Sequence, residues 1–431
     1  GVRVGDFTDD RLADILRLLS DDETWEEVER ELGQRLIRVY ELESGTVRLD
    51  STSAAVYHDS EEGSLFQYGH SKDHRPDLAQ FKMMLATIDP MGMPLAPMEV
   101  AGNEADDGLY LPSMQRVEET IGQGAKLYIG DSKMGALHTR ASIEASGNYY
   151  LAPLAQIGGV PQLLRELLEP IWLKKQPLER IYAPTNDEED AKMIALGYDS
   201  SRSQEALVEK QKVAWDERVL VLYSLSLAKA ARKGLAQRIS KASQALVALT
   251  PPRARGHRQF DDLKALEAAA TAIIKKHRVE GLLDLSYRKE IEKRSIRKYG
   301  ERPARPEENV RYVIKVKPNQ KAISDARRPL GWRLYVTNAP DTHLPLSKAI
   351  LAYRDTAQMD RNFMRLKGRP LGIRPLYVER EDHAKGMVRL MSLALRVLTL
   401  PEHVVRDALD SAKEKLSGLY AGNPKRQTER P

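Results

Sequence analysis

One helix constrains this chain more than any other stretch. From Pro345 to Lys367 no Gly interrupts, and the only Pro stands at the first position, where a helix tolerates it. The spacing predicts a helix over 345–367, stopped by Gly368 and Pro370. At 3.6 residues per turn, Tyr353, Thr356, Asp360 and Lys367 share one narrow stripe. A phenol, a carboxylate and an ammonium on one face either line a site or form a solvated surface. Any fold that holds this helix must answer that stripe.

The preceding chain supplies a sheet. Residues 8–40 read as two helices, with Thr8 placed as an N-cap and Val28, Leu32, Leu36 and Ile37 along one side of the second. From Gly45 to Tyr57 the period changes to two, which predicts a strand carrying Asp50. Gln80–Ile88 predicts a second strand and Met93–Val100 a third, with a turn at Asp89-Pro-Met-Gly between them. A helix over Leu109–Gly122 leads to the short apolar strand Ala125–Asp131, then a helix over 137–146 and an extended stretch over 149–154. A meander followed by helix–strand alternation predicts a mixed α/β layer fold. Asp50 lies within one strand and Asp131 ends another, and carboxyl ends of strands are where such sheets keep their sites.

From about Pro161 to Leu344 the character shifts, as in an insertion between two parts of one core. Helices are predicted over 161–172 and 187–196, then a strand over 217–224 and a long helix over 225–249. A partner helix over 260–277 follows, then a charged stretch over 287–298 and strands over 310–317 and 331–337. The long helix carries Lys229, Arg232, Lys233, Arg238 and Lys241, and no acidic residue falls between Lys229 and Arg255, which favours nucleic acid there. At 288–305, Glu290, Glu292 and Glu301 interleave with the bases, the pattern of an ordinary charged exterior. Two further helices are predicted over 382–398 and 401–416, and the polar tail is expected to be disordered. The domain reading is an N-terminal helical region (1–44), a first core segment (45–160), a basic α+β insertion (161–344), a second core segment with C-terminal helices (345–416) and a tail (417–431).

Composition removes several function classes. The 431 residues include no Cys, so disulfides, thiolate metal sites and cysteine nucleophiles are excluded. No apolar run approaches the ~20 residues that span a membrane, and the first residues lack the apolar core of a signal peptide. The chain also begins without Met, as a fragment or processed product would. A net charge of +5 permits nucleic-acid binding without requiring it. His70 and His74 have a zinc-like spacing but sit in a loop sequence with no third ligand. Ile121-Gly-Gln-Gly-Ala-Lys lacks the spacing of a phosphate loop, and no serine has a nucleophile-elbow context.

Singly, Asp50 reads as a turn or capping residue, Asp131 as a strand end and Asp360 as a solvated helix residue. Together, two strand carboxylates and one helix carboxylate can converge on divalent cations that prefer oxygen. Two such ions can activate a hydroxyl and stabilise the leaving oxygen of a phosphodiester. Lys367, two turns past Asp360, is then placed to hold a phosphate.

These residues resemble those of DDE transposases of bacterial insertion sequences. Val47-Arg-Leu-Asp50-Ser-Thr-Ser is similar to the family's first-aspartate segment. Tyr68-Gly-His-Ser-Lys-Asp-His-Arg-Pro-Asp-Leu resembles its Tyr-Gly-(His/Tyr)-Ser-Lys-Asp-His-Arg-Pro-Asp-Leu stretch. Gly102-Asn103 matches another family element, and Ile129-Gly-Asp131 resembles the second-aspartate strand. Tyr353, Asp360 and Lys367 fall at the Tyr, Glu and Lys positions of the family's third-acid motif, from which the chain departs twice. Thr356 stands where the motif has Arg, and Asp360, one methylene shorter, replaces Glu.

The resemblance covers about Phe7 to Leu416 and implies an RNase H-like mixed sheet flanked by helices, interrupted by an α+β insertion. It implies Asp50, Asp131 and Asp360 as catalytic and metal-holding residues, Mg²⁺ or Mn²⁺ as cofactor, and DNA contacts by Tyr353, Lys367, Arg365, Lys72, His74 and Arg75. The implied reaction is cleavage at transposon ends and transfer of the 3′ hydroxyl into target DNA. The partners would be double-stranded DNA and a second copy in a synaptic dimer, without a membrane, in the bacterial cytoplasm at the nucleoid. The rival expectations are a DNA-binding relative without chemistry and an RNase H-like nuclease without strand transfer.

Overall fold

A computed structural model describes all residues except 1, 2, 4, 6, 7, 58, 185–190, 253, 255–258, 297–304, 375 and 429–431. The chain divides into two compact units. The first comprises Gly1–Val160, Tyr198–Leu220 and Leu334–Pro431, and the second comprises Pro161–Gly197 and Val221–Arg333.

In chain order the elements open with helices α1 (Asp9–Ser20) and α2 (Asp22–Tyr40), then strands β1 (Thr46–Ala55), β2 (Gln80–Ile88), β3 (Met93–Pro94) and β4 (Met98–Ala101). Helix α3 (Tyr110–Ile121), β5 (Leu127–Ile129), α4 (Leu137–Ala145) and β6 (Tyr149–Pro153) follow, then α5 (Val160–Trp172) and β7 (Glu179–Tyr182). Next come β8 (Met193–Val208), β9 (Gln211–Ser224), α6 (Leu225–Ala248), α7 (Leu263–His277), β10 (Leu283–Ile296) and β11 (Arg305–Pro318). The chain closes with α8 (Gln320–Arg327), β12 (Trp332–Thr337), α9 (Leu346–Arg354), α10 (Ala357–Lys367) and α11 (Glu381–Ala412).

The first unit is built on a mixed sheet in the order β3-β2-β1-β5-β6-β12, flanked by helices, as the α/β reading expects. β2 pairs antiparallel with β1 along its whole length, and β1, β5 and β6 run parallel. Central strands of this kind are sequestered on both faces, which is why Gln80–Ile88 is buried throughout. Phe81, Met83 and Leu85 of β2 meet Met359 and Leu366 of α10 and Val388 and Leu395 of α11 in one apolar cluster. Gly386 lets α1 and α11 approach closely, since a Cβ there would collide with the Leu16 carbonyl.

The second unit centres on α6 and α7 packed against the two-stranded ribbon β10–β11. Leu235, Ala242 and Leu246 of α6 meet Ala270 of α7 and Leu283 and Ile314 of the ribbon.

Some local expectations need correction. The helix expected over 345–367 divides into α9 and α10 at Asp355, whose ψ of 63° leaves the helical region and whose N–H donates to the Leu351 and Ala352 carbonyls. Those two main-chain bonds close the last turn of α9, and Asp is among the residues that favour helix ends over helix interiors. The helices expected over 382–398 and 401–416 are one, α11, which continues through Pro401. The helix expected over 187–196 falls partly on residues outside the described ones, and from Met193 onward the chain is strand β8. Of the charged stretch at 287–298, residues 287–296 belong to β10 and the last two lie outside the described residues; Glu290 pairs with Arg311 and Lys293 with Glu308 across the ribbon. The third strand expected over 93–100 is two short strands, both paired with β2. In the tail, the Thr428 N–H donates to the Leu416 carbonyl and the Gly418 N–H to the Pro424 carbonyl.

Candidate functional site: three carboxylates in one pocket

Parallel register brings the first two carboxylates level. Arg48 of β1 lies opposite Ile129 of β5, and Asp50 and Asp131 each stand two residues further along. Side chains alternate with a period of two and neighbouring strands lie about 4.8 Å apart, so both carboxylates emerge side by side on one face. Asp360, in the first turn of α10, completes the set. The three aspartates line one cavity of about 230 Å³ together with Tyr353, Thr356, Met359 and the backbone of Gly130.

The division between α9 and α10 retains three of the four stripe residues at this cavity. Lys367 is elsewhere: its ammonium donates to Asp73 Oδ1 at 2.9 Å. Tyr353 packs edge-on against Tyr335, with ring centroids 4.7 Å apart.

Each acid has its own surroundings. Asp50 Oδ1 accepts from the Ser51 N–H at 2.8 Å and lies 3.7 Å from Lys72 Nζ. The surrounding protein pushes the Asp50 carboxyl up, Lys72 and the Ser51 N–H draw it down, and the charges of Asp131 and Asp360 push it up again. Asp131 Oδ1 accepts from the buried Tyr110 hydroxyl and from the Lys133 N–H, both at 2.7 Å. Burial, reinforced by the Asp131 charge, raises the Tyr110 phenol, so that hydroxyl remains a donor. Asp360 is exposed and accepts from Thr356 Oγ1 at 3.4 Å.

The Tyr68–Leu78 loop ties the walls of this pocket together. Lys72 donates from its backbone to Ser53 Oγ and from Nζ to Ser51 O and Ser51 Oγ, at 2.9, 2.7 and 2.6 Å. Its ammonium also lies 3.3 Å from Asp106, which holds buried Lys82 at 2.9 Å. The adjacent Asp73 accepts from Lys367 at the end of α10 and from Arg374. One loop therefore grips both the strand bearing Asp50 and the helix bearing Asp360. Gly102 seats the loop's start, since a Cβ there would collide with the carbonyls of Gln80 and Gln67.

The six residues expected to contact DNA are thus placed differently from one another. Tyr353 lines the pocket, and Lys72 reaches Asp50. Lys367 is paired with Asp73, and Arg365 with Glu402. His74 and Arg75 are exposed outside the pocket lining, and Arg75 pairs with Asp77 and lies over the Tyr57 ring. Sequence reasoning misses Tyr110, Asp106 and Asp73 as partners. Asp73 lies inside the Tyr68–Leu78 motif itself, whereas nothing local marks Tyr110, 21 residues before its acceptor.

The donor set suits an oxygen-preferring cation: carboxylates and the Tyr353 and Thr356 hydroxyls, with no thiolate or pocket-lining imidazole. Among the described residues no three acidic or histidine side chains are gathered closely enough to enclose an ion. Mg²⁺ does not require such a cage, since it is held by one or two carboxylates with water and phosphate oxygens. The mutual repulsion felt at Asp50 is what a cation would relieve.

No family model matches the sequence, and no curated protein matches it. Among solved structures, the chain is similar to one in the cryo-EM structure of a piggyBac transposase synaptic complex with hairpin DNA. That likeness has a TM-score of 0.24 and 8% identity, and covers 45% of this chain and 40% of the other. At that level it carries no argument about function. Among the described residues no helix is long and apolar enough to cross a membrane.

Proposed function

We propose that this chain is a metal-dependent transposase with an RNase H-like core, cutting DNA at element ends and joining the freed 3′ hydroxyl to target DNA. The observation that carries the reading is the shared pocket of Asp50, Asp131 and Asp360. The resemblance of the Asp50 segment, the Tyr68–Leu78 loop and the third-acid motif to DDE transposases supports it.

In this reading Asp50 and Asp131, with Asp360 as third acid, hold Mg²⁺ or Mn²⁺. Bound there, the metal supplies Lewis acidity to the attacking and leaving oxygens of a phosphodiester. The chain's own residues do the positioning. Tyr110 and the Lys133 N–H fix one oxygen of Asp131, leaving the other for the site. Lys72, held by Ser51 and Asp106, adds positive charge beside Asp50 and keeps that carboxylate in place. Double-stranded DNA is the substrate, and a second copy would complete a synaptic complex.

The test is Mg²⁺-dependent nicking and strand transfer on cognate end DNA. Asp131→Asn should reduce both by more than about 100-fold, since even residues that only support metal ligands cost 10–100-fold. Activity retained by Asp50→Asn or Asp131→Asn would overturn the assignment.

A second reading, a DNA-binding relative without chemistry, is favoured by one feature. The third acid is the short Asp360, exposed and bonded to Thr356. DNA binding without cleavage, unrescued by Mn²⁺ or by Asp360→Glu, would select it.

A further inference from the structure

Helix α6 carries a face that the pocket does not use. Ala228, Leu235, Ala242 and Leu246 are buried, and they fix one side of the helix inward. At 100° per residue, the opposite side presents Lys229, Lys233, Gln237, Ser240, Lys241 and Gln244, while Arg232 lies on the flank beside the buried side. All seven are exposed. The run from 229 to 244 is about 22 Å of helix at 1.5 Å per residue.

Two facts separate this face from an ordinary solvated exterior. The chain has 62 acidic residues among 431, yet none lies between Glu217 and Asp261. An exposed helix of charged residues normally intersperses acids three or four positions from its bases. Here that spacing offers no acid, only Gln, Ser, Ala, Leu and further bases. Among the described residues, Lys229, Arg232, Lys233 and Lys241 have no ion-pair partner. Some exposed bases elsewhere do have one, such as Lys212 with Glu205 and Lys293 with Glu308, and what sets α6 apart is that four unpaired bases share one acid-free helix.

We infer that this face of α6 is a docking surface for the phosphate backbone of duplex DNA, read without regard to sequence. Four unneutralised cations and three amide or hydroxyl side chains match what phosphate oxygens take from a protein: charge and hydrogen bonds. The helix contains no Phe, Tyr or Trp on which unpaired bases could stack, which favours duplex over single strand. It also lacks the broad apolar face with which a membrane-surface helix inserts, because its apolar side is already buried on α7 and the ribbon. The inference rests on α6 alone and stands even if the pocket performs no chemistry.

The test uses the full chain carrying Asp50→Asn, so that binding is read without cleavage, and a duplex of arbitrary sequence. Affinity is measured across a salt series, with and without Lys229→Gln, Arg232→Gln, Lys233→Gln and Lys241→Gln together. The logarithmic salt slope should become shallower by about 3.6, at about 0.9 for each phosphate no longer neutralised. Between 50 and 200 mM salt, the parent should therefore lose about 150-fold more affinity than the variant. A control removes four other exposed lysines, Lys174, Lys175, Lys413 and Lys425, and should leave the slope nearly unchanged. An unchanged slope in the α6 variant, or equal flattening in the control, would overturn the inference. So would loss of binding to phosphatidylserine-rich vesicles with duplex binding intact, which would assign the face to a lipid surface. Loss of nicking in Asp131→Asn with the slope retained would bear on the pocket alone.

Discussion

The carboxylate pocket and the α6 face handle charge in opposite ways. In the first unit nearly every base near the pocket is already answered by an acid: Lys72 and Lys82 by Asp106, Arg48 by Asp89, Lys367 by Asp73 and Arg365 by Glu402. On α6 four bases stand unanswered among the described residues. Charges of the first kind hold strands and helices in register and cannot be removed without structural loss. Charges of the second kind contribute nothing to the fold and remain available to a ligand. A residue's type therefore says less about DNA contact than whether the fold has already used its charge. Lys367 and Arg365, expected at DNA, are on the used side.

The largest break in this comparison should come from Glu217 of β9, whose side chain is fully buried. It accepts from Arg140 of α4, from Tyr150 of β6 and from Arg202 of β8, and the Trp215 indole donates to the same Tyr150 hydroxyl at 2.9 Å. Arg140 also donates to the Gly135 carbonyl at 3.0 Å, in the segment that follows Asp131. Glu217→Leu leaves the buried Arg140 guanidinium without its counter-charge. The expected loss of stability is about 3–5 kcal/mol, read by chemical denaturation. A loss below about 1 kcal/mol would show that water replaces the carboxylate and that the used charges are not structural.

Much of this arrangement is legible in the sequence, for definite reasons. Asp50 and Asp131 can be placed because period-two alternation and a short apolar run mark their strands, and parallel pairing then makes them neighbours. The cavity's third wall can be placed because residues 345–367 have helical spacing, although the division at Asp355 cannot. That break depends on one residue's ψ, which composition does not encode. Strand β10 is obscured because the outer part of a two-stranded ribbon is exposed on both faces, so its apolar period fades into alternating charge. Helix α11 passes through Pro401 because tertiary packing outweighs a local breaker: α11 also packs on α1 and α10, and Thr399 bonds back to the Leu395 carbonyl. Ion-pair partners such as Asp73 for Lys367 lie 294 residues apart, and only folding brings them together.

A pH series should sharpen the contrast next. Glu29 of α2 is buried between Arg396 and Arg116, at 2.8 and 2.7 Å, with Glu99 nearby. Burial pushes its carboxyl up to about 7 despite both guanidiniums, and the same burial draws Arg396 down. A carboxyl raised in the folded state binds its proton more tightly there than in the unfolded chain. Stability from this group is therefore greatest on the acid side and falls as pH rises from about 4.5 to about 7. The fall is up to about 3 kcal/mol at 1.36 kcal/mol per pH unit. Glu29→Gln should lose that part of the pH dependence. Denaturation midpoints compared at both ends of the window check it, and parallel pH slopes in the two proteins would refute the assignment.

A smaller effect is expected at the loop clasp. Asp73→Asn removes the counter-charge of Lys367 and Arg374, at an expected cost of about 1–3 kcal/mol. Burial already draws the Lys367 ammonium down, and Asp73 holds it up. Without that carboxylate Lys367 should lose its proton at lower pH, and losing it relieves the unpaired buried charge, so the variant's stability deficit should shrink as pH rises toward the ordinary lysine range. A deficit that stays constant across that range would mean that Asp73 does not hold the Lys367 charge.

The smallest expected effect tests the unanswered side directly. If the α6 bases contribute nothing to the fold, replacing Lys229, Arg232, Lys233 and Lys241 singly with Gln should change stability by no more than about 0.5 kcal/mol each. Gln keeps nearly the same helix propensity and a polar end, so the substitutions report chiefly on charge. Like charges at spacing i, i+4, as at Lys229 and Lys233, repel by a few tenths of a kcal/mol, so their removal should be neutral or slightly stabilising. Raising salt should erase even that gain, because exposed charges are screened over about 10 Å at 0.1 M. Denaturation at low and high salt measures both effects. A clear destabilisation that salt does not remove would mean the fold has found these bases a partner, and the contrast with the pocket would fail at its unanswered end.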